Sequence, residues 1–243
     1  MLTIYADFNC PYSYLASSRA DRLLATGVTS IAWRAIEHDP DLPASGLPTA
    51  PDRDRWDEEL ADVAALALPG EPLPASVPAV MSNTRAAVAA YAESVTDGID
   101  ASLRRSIFGS IWVRGANLSS GYAVRALVTA LMWTPGRVND RLASPDLPDA
   151  LDSDPDLARV VRRSGGTVAA DGTPLTFAGH HRVAGWRRDW LALADQTIPA
   201  VVDARGGVHA GTDGVAFLAR LLHDGETFRP GLARRTRPVA RAA

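Results

Sequence analysis

With 243 residues, 47% of them hydrophobic, the chain is long enough to bury a continuous core. Its 25 basic and 28 acidic residues leave a net charge of -3, so the charge balance calls for neither nucleic acid nor an anionic membrane. One cysteine excludes an intramolecular disulfide and a cysteine-rich zinc site, and the absence of lysine removes a Schiff-base candidate.

Leu2 to Ala6 alternates apolar and polar positions and then turns continuously apolar, which predicts a buried strand. Asp7-Phe8-Asn9 breaks that pattern, and Pro11 stands where the first turn of a helix tolerates proline. Tyr14, Leu15, Ala20, Leu23 and Leu24 recur at helical spacing until Gly27 closes the segment. Val28 to Ile36 reads as a second strand, parallel to the first through the helical crossover. From Glu37 to about Met81, proline-stiffened loops flank an amphipathic helix over Asp52 to Leu68. Ser82-Asn83-Thr84 offers capping chemistry for a helix to about Thr96, which Asp97-Gly98 stops. Further helices are predicted over Asp100 to Val113, Ser119 to Trp133 and Pro155 to Arg163. Gly165 to Thr176 reads as a loop or small hairpin, and His180 to Ala194 as a helix. Pro199 to Asp203 and Val208 to Ala210 are strands around a glycine turn, followed by a helix over Thr212 to Leu222. The arginine-rich tail after about Gly225 has no periodicity.

The order is βαβ, a helical block, then α-β-β-α, which is the element order of a thioredoxin-type sheet. The expected fold is α/β, thioredoxin-like, with a large helical insertion after the second strand. Residues 1–36 and 195–225 would form the thioredoxin-like domain, 37–194 the insertion, and 226–243 a disordered tail. Met1 to Phe8 has no charged region before a long apolar run, so no secretory leader is expected, and no segment is apolar enough to span a membrane. With the lone cysteine, this points to a reducing cytoplasm.

Asp7-Phe8-Asn9-Cys10-Pro11-Tyr12-Ser13 is the most informative stretch. A cysteine that leaves a strand and enters a helix meets unpaired N–H groups and the positive end of the helix dipole. Both favour thiolate over thiol, so the Cys10 pKa is expected to fall, with Ser13 adding a hydroxyl hydrogen bond. The alternative is an inert buried cysteine beside an N-capping Asn9.

Cys10-Pro11-Tyr12-Ser13 resembles the Cys-Pro-x-Cys motif of DsbA-type thioredoxin-fold oxidoreductases. Asp7-Phe8 with Pro11-Tyr12-Ser13-Tyr14-Leu15-Ala16 is similar to the kappa-class glutathione transferases and 2-hydroxychromene-2-carboxylate isomerases, a branch of the same superfamily. Ser82-Asn83-Thr84 resembles that superfamily's Asn-Thr helix start. The resemblance implies a cis-proline at Pro199, with the backbone of Ile198 facing the active-site cysteine. It also implies that Thr212 and Asp213, in Gly211-Thr212-Asp213, hold the γ-glutamyl end of glutathione, although either is equally an ordinary N-cap. Related proteins are often dimers, so a homodimer is an expectation of the same kind.

The departures carry as much. Ser13 stands where a resolving cysteine would be, so a mixed disulfide on Cys10 must be opened by an outside thiol. The isomerase and kappa branch usually has serine at the position of Cys10 and activates the sulfur of glutathione instead. Three readings follow: a cytoplasmic monothiol oxidoreductase using Cys10 and Ser13; a glutathione-dependent isomerase or transferase; and a non-catalytic binding protein. No tightly bound cofactor and no metal are expected. The co-substrate would be a low-molecular-weight thiol, glutathione or, if the arginine-only composition reflects an actinobacterial genome, mycothiol. Pro11, Tyr12 and Asn83 join Ile198, Pro199, Thr212 and Asp213 as expected substrate contacts. Glu37-His38-Asp39, after the second strand, is a further candidate for shaping the pocket. His180-His181 lacks companion ligands and reads as a solvated helix cap.

Overall fold

The computed structural model describes residues 1–27, 29–132, 168–169 and 171–227. Its central sheet is built from the two ends of the chain. β1 (Leu2–Ala6) lies parallel to β2 (Ile31–Ala35) and antiparallel to β5 (Ala200–Val202), which pairs in turn with β6 (Val208–Ala210). The order β2-β1-β5-β6 puts β1 in the interior, where its continuously apolar half is required. This is the thioredoxin-like α/β fold.

α1 (Pro11–Thr26) follows β1 directly and ends at Gly27, whose φ of 68° is the left-handed conformation that glycine adopts without a Cβ penalty. Between β2 and β5 lie α2 (Arg53–Ala65), α3 (Arg85–Asp97), α4 (Asp100–Trp112), α5 (Gly121–Met132) and α6 (Phe177–Leu191), and α7 (Gly211–Thr227) closes the chain. α6 starts three residues before the predicted His180. Thr176 is the reason: its hydroxyl accepts the Gly179 N–H at 3.0 Å, and its own N–H is held by Glu93. A two-stranded sheet, β3 (Leu47–Pro48) with β4 (Val80–Met81), interrupts the helical insertion; two residues are too few to show a period in the sequence. The predicted helix over Pro155 to Arg163, Val28, Trp133, the Gly165-Gly166 pair and residues 228–243 lie outside the described residues, whereas residues 226 and 227, expected in the tail, are the last of α7. Asp171-Gly172 forms a turn closed by a bridge between Val168 and Pro174.

The main core gathers Ile4 and Phe8 with Tyr91, Phe108, Ile111 and Trp112, so the insertion helices α3 and α4 complete the core that β1 and α1 begin. Trp33, Trp112 and Trp190 are buried, and Trp186 packs partly buried against the core. On the other side of α1, Arg19 and Glu71 form an ion pair at 2.8 Å with both side chains shielded from solvent. Arg19 also donates to the carbonyls of Val215 and Leu66, while Glu71 accepts the Leu68 N–H. One guanidinium thus ties α1 to α7 and to the end of α2. Glu71→Ala leaves that charge buried and unpaired, which costs about 3–5 kcal/mol. Urea denaturation checks it: a midpoint unchanged from the parent would show that the pair contributes nothing.

Candidate active site

Three tertiary contacts hold the segment between β1 and α1. The Trp112 Nε1 donates to the Phe8 carbonyl at 2.8 Å, the Asp7 carboxylate accepts the His38 N–H at 2.8 Å, and the Asn9 Nδ2 donates to the Ser82 carbonyl. They clamp the residues before Cys10 to α4, to the end of β2 and to the loop that enters α3. Cys10 itself, rather than Asn9, is the N-cap of α1. Its sulfur accepts the Ser13 N–H at 3.4 Å, and Pro11 occupies the position where a missing N–H costs nothing.

Across from the sulfur is the loop into β5. The Ile198–Pro199 peptide bond is cis, and the Cys10 thiol points at the Ile198 carbonyl with Sγ 3.7 Å from the oxygen. Residues 188 positions apart in sequence therefore face each other at the sheet's active end. The Pro199 carbonyl accepts the Gly211 N–H at 3.0 Å, which anchors this loop to the start of α7.

In front of the sulfur opens a cavity of about 440 Å³, within the size range of small-molecule sites. Cys10, Tyr12, Ile198 and Thr197 form its floor. His38 and Asp39 from the loop after β2 also line it, as do Arg55, Trp56 and Glu59 of α2. The insertion thus builds a wall of the cleft. The α2 residues escaped the sequence reading, although Arg55 and Glu59 at i and i+4 share one helix face beside an aromatic ring.

The remaining candidates fall elsewhere. Ser13 is fully buried behind the sulfur, and its hydroxyl completes no well-formed hydrogen bond. Pro11 is buried in the first turn of α1. Asn83 does not line the cavity: its side chain donates to the Leu42 carbonyl and accepts the Arg85 N–H, so it braces the loop behind the wall and opens α3. Thr212 and Asp213 are exposed on α7, and Asp213 is spent on His209 at 3.1 Å and Arg220 at 3.7 Å. Neither lines the cavity. Tyr14 packs edge-on against Phe108, leaving Tyr12 as the tyrosine that reaches the cleft. His180 and His181 are exposed in the first turn of α6, and no cluster of three metal-ligating side chains exists among the described residues.

The electrostatics correct one expectation. Burial pushes the Cys10 thiol up to about 12, with Glu59 adding to the rise; the hydrogen bond from the Ser13 N–H opposes it and is outweighed. Two or three partial charges at a helix start do not replace the hydration that a thiolate forfeits in this setting. The shift favours the protonated form, although the half-buried residue also lines an open cavity. Burial likewise raises the Asp7 and Glu37 carboxyls, the first against hydrogen bonds from the His38 and Asn9 backbone.

A cysteine at the start of the first helix, facing a cis-proline loop across one end of a four-stranded mixed sheet, is an arrangement of the thioredoxin-like fold. The family model of the DSBA-like thioredoxin domain matches residues 1–195, and this chain belongs to that family. Similar solved structures include a probable DsbA oxidoreductase from Streptomyces coelicolor, 14% identical with a TM-score of 0.61 over 96% of this chain and 92% of the other. A 2-hydroxychromene-2-carboxylate isomerase is 18% identical, with a TM-score of 0.59 over 93% and 98% of the two chains. The cytosolic disulfide reductase DsbM from Pseudomonas aeruginosa is 18% identical, with a TM-score of 0.50 over 91% and 98%, and has also been solved with GSH. At these identities the likeness is one of fold. No curated protein matches the sequence. None of the described helices is long and apolar enough to cross a membrane.

Proposed function

We propose that this chain is a cytoplasmic thiol-dependent oxidoreductase that works through Cys10 alone. The observation that carries the reading is the position of the sulfur: on the floor of a ligand-sized cavity, at a helix start, and opposite the Ile198 carbonyl. In the first step Cys10 attacks a disulfide R–S–S–R. A Cys10–S–S–R bond forms, one R–SH leaves, and the Cys10 proton ends on the departing sulfur. An external low-molecular-weight thiol then attacks the mixed disulfide, regenerating the Cys10 thiol and carrying R away as a new disulfide. Ser13 cannot perform that second step, having no sulfur.

The raised pKa shapes this cycle. Once deprotonated, Cys10 is a strong nucleophile, but it is a poor leaving group, so the mixed disulfide resists opening. Incubation with a small symmetrical disulfide is therefore expected to leave one equivalent of adduct on the intact protein, read by mass spectrometry. Absence of any adduct at Cys10 after prolonged incubation counts against the reading.

A second reading is favoured by the direction in which burial moves the Cys10 thiol, upward, toward the protonated form. A neutral S–H can take the place of a serine hydroxyl and donate to the sulfur of a bound thiol such as glutathione, which would then carry out an isomerase or transferase reaction. The 2-hydroxychromene-2-carboxylate isomerase among the fold neighbours is compatible with it. Replacing Cys10 by serine separates the two readings.

A further inference from the structure

The loop that carries Ile198 to the sulfur is held from behind by a residue that does not itself line the cavity. Trp190, in the last turn of α6, is 4% exposed, and its indole Nε1 donates to the Gln196 carbonyl at 3.1 Å. Its ring belongs to a small core cluster with Tyr5, Ile36 and Ala200, and Ile198 packs against that cluster. The same ring meets the His38 imidazole edge-on, with centroids 5.7 Å apart. Ile198 and His38 both line the cavity, so one buried indole backs two of its lining residues. A second tie to α6 comes from Gln196, whose Nε2 donates to the Leu191 carbonyl at 2.9 Å. The Thr197 N–H goes to the Asp195 carboxylate, a bond local to the loop. The stretch from Gln196 to Ile198 is thus supported chiefly by the end of α6.

We infer that Trp190 is a positioning residue for Cys10: through Gln196 and Ile198 it fixes the carbonyl that faces the sulfur, and so sets how readily the thiol reacts. The inference rests on the reading of Cys10 as the working thiol. The Ile198 oxygen lies 3.7 Å from Sγ. A hydrogen bond accepted from the neutral S–H favours the protonated form, and the negative end of the carbonyl dipole opposes the thiolate. With the indole N–H removed, the Gln196 carbonyl turns to water and the loop loses its main tie to α6. The Ile198 oxygen then no longer keeps its place, water reaches the sulfur, and the thiol gives up its proton more readily. The groups at the start of α1 and Glu59 are untouched by that change, so the effect belongs to the loop alone.

The test follows alkylation of Cys10 by iodoacetamide in the intact protein, read by mass across pH 7 to 10, in the parent and in Trp190→Phe, which keeps a buried ring and removes the donor. Leu103→Ala, a truncation in the main core, controls for lost stability, since global unfolding also exposes the sulfur. Trp190→Phe is expected to move the profile toward lower pH and to raise the rate at fixed pH by at least about threefold, the gain from a fall of about half a pKa unit. Leu103→Ala, at an equal or larger loss of stability in urea, should leave the profile where it is. Should Trp190→Phe fail to fold, Gln196→Ala is judged by the same criterion: it cuts the second tie at an exposed residue. A profile superimposed on the parent's, or a rise that Leu103→Ala reproduces, overturns the inference and leaves Cys10 as the working thiol. A parent whose Cys10 takes no label anywhere in that range removes the reading of the sulfur as reachable, and this inference with it.

Discussion

Cys10→Ser is expected to lower disulfide turnover by roughly three orders of magnitude or more, on the scale seen when a nucleophile is removed. The chain has one sulfur able to form a mixed disulfide, and no second cysteine exists to take over the role. The fold should survive the change, because the N-cap position accepts serine as well as any residue, and a serine oxygen takes the Ser13 N–H that the sulfur now accepts. Near-parental stability with lost turnover is therefore the expected pair of results. Turnover of a small disulfide assayed with an external thiol, beside a thermal melt, measures both. Retained activity would sink the monothiol cycle and move the chemistry to a bound thiol, with the residue at position 10 serving only as a hydrogen-bond donor.

The reactivity of Cys10 toward iodoacetamide should climb with pH without levelling off in the neutral range. With the thiol pushed up to about 12, only a small fraction is ionised at pH 7; that fraction grows about tenfold per pH unit below the pKa, and reactivity follows it because the thiolate is the nucleophile. The direction follows from the shift: raising the pKa extends the protonated form upward, so the rise continues to about pH 11. A sulfur governed by the helix dipole would plateau near neutrality. Mass spectrometry of the alkylated protein across pH 7 to 10, a range in which the fold must first be shown intact, distinguishes the two. A plateau below pH 8 would show that solvation and the helix terminus outweigh burial. Glu59→Gln should move the whole curve toward lower pH, since Glu59 adds to the rise.

The gap between expectation and structure at Cys10 has a physical origin. A helix start is legible in the sequence from Pro11 and the spacing of Tyr14, Leu15, Ala20 and Leu23, and so is its effect on a sulfur placed there. The competing effect is loss of water, and that depends on groups remote in the chain. Ile198 approaches from the loop before β5, and Glu59 from a helix inside the insertion. Neither distance is encoded in the residues around Cys10. The fates of Asn83 and Asp213 teach the same lesson. Each sits at a helix start that pattern identifies, but whether a capping side chain also reaches a ligand depends on what lies beyond it. Asn83 meets the Leu42 carbonyl and Asp213 meets His209 and Arg220.

Local chemistry sufficed for the strands at the two ends of the chain, the helix that opens at Cys10, the stops at Gly27 and Gly98, and the absence of a resolving sulfur. Periodicity, proline and glycine act over a few residues, so they need no partner to be read. Packing decided the rest: which tyrosine reaches the cleft, the α2 wall with Arg55, Trp56 and Glu59, the β3–β4 pair, and the protonation of the lone thiol. Desolvation and charge act through space, and only the closed fold brings residues 10, 59 and 198 within range of one another.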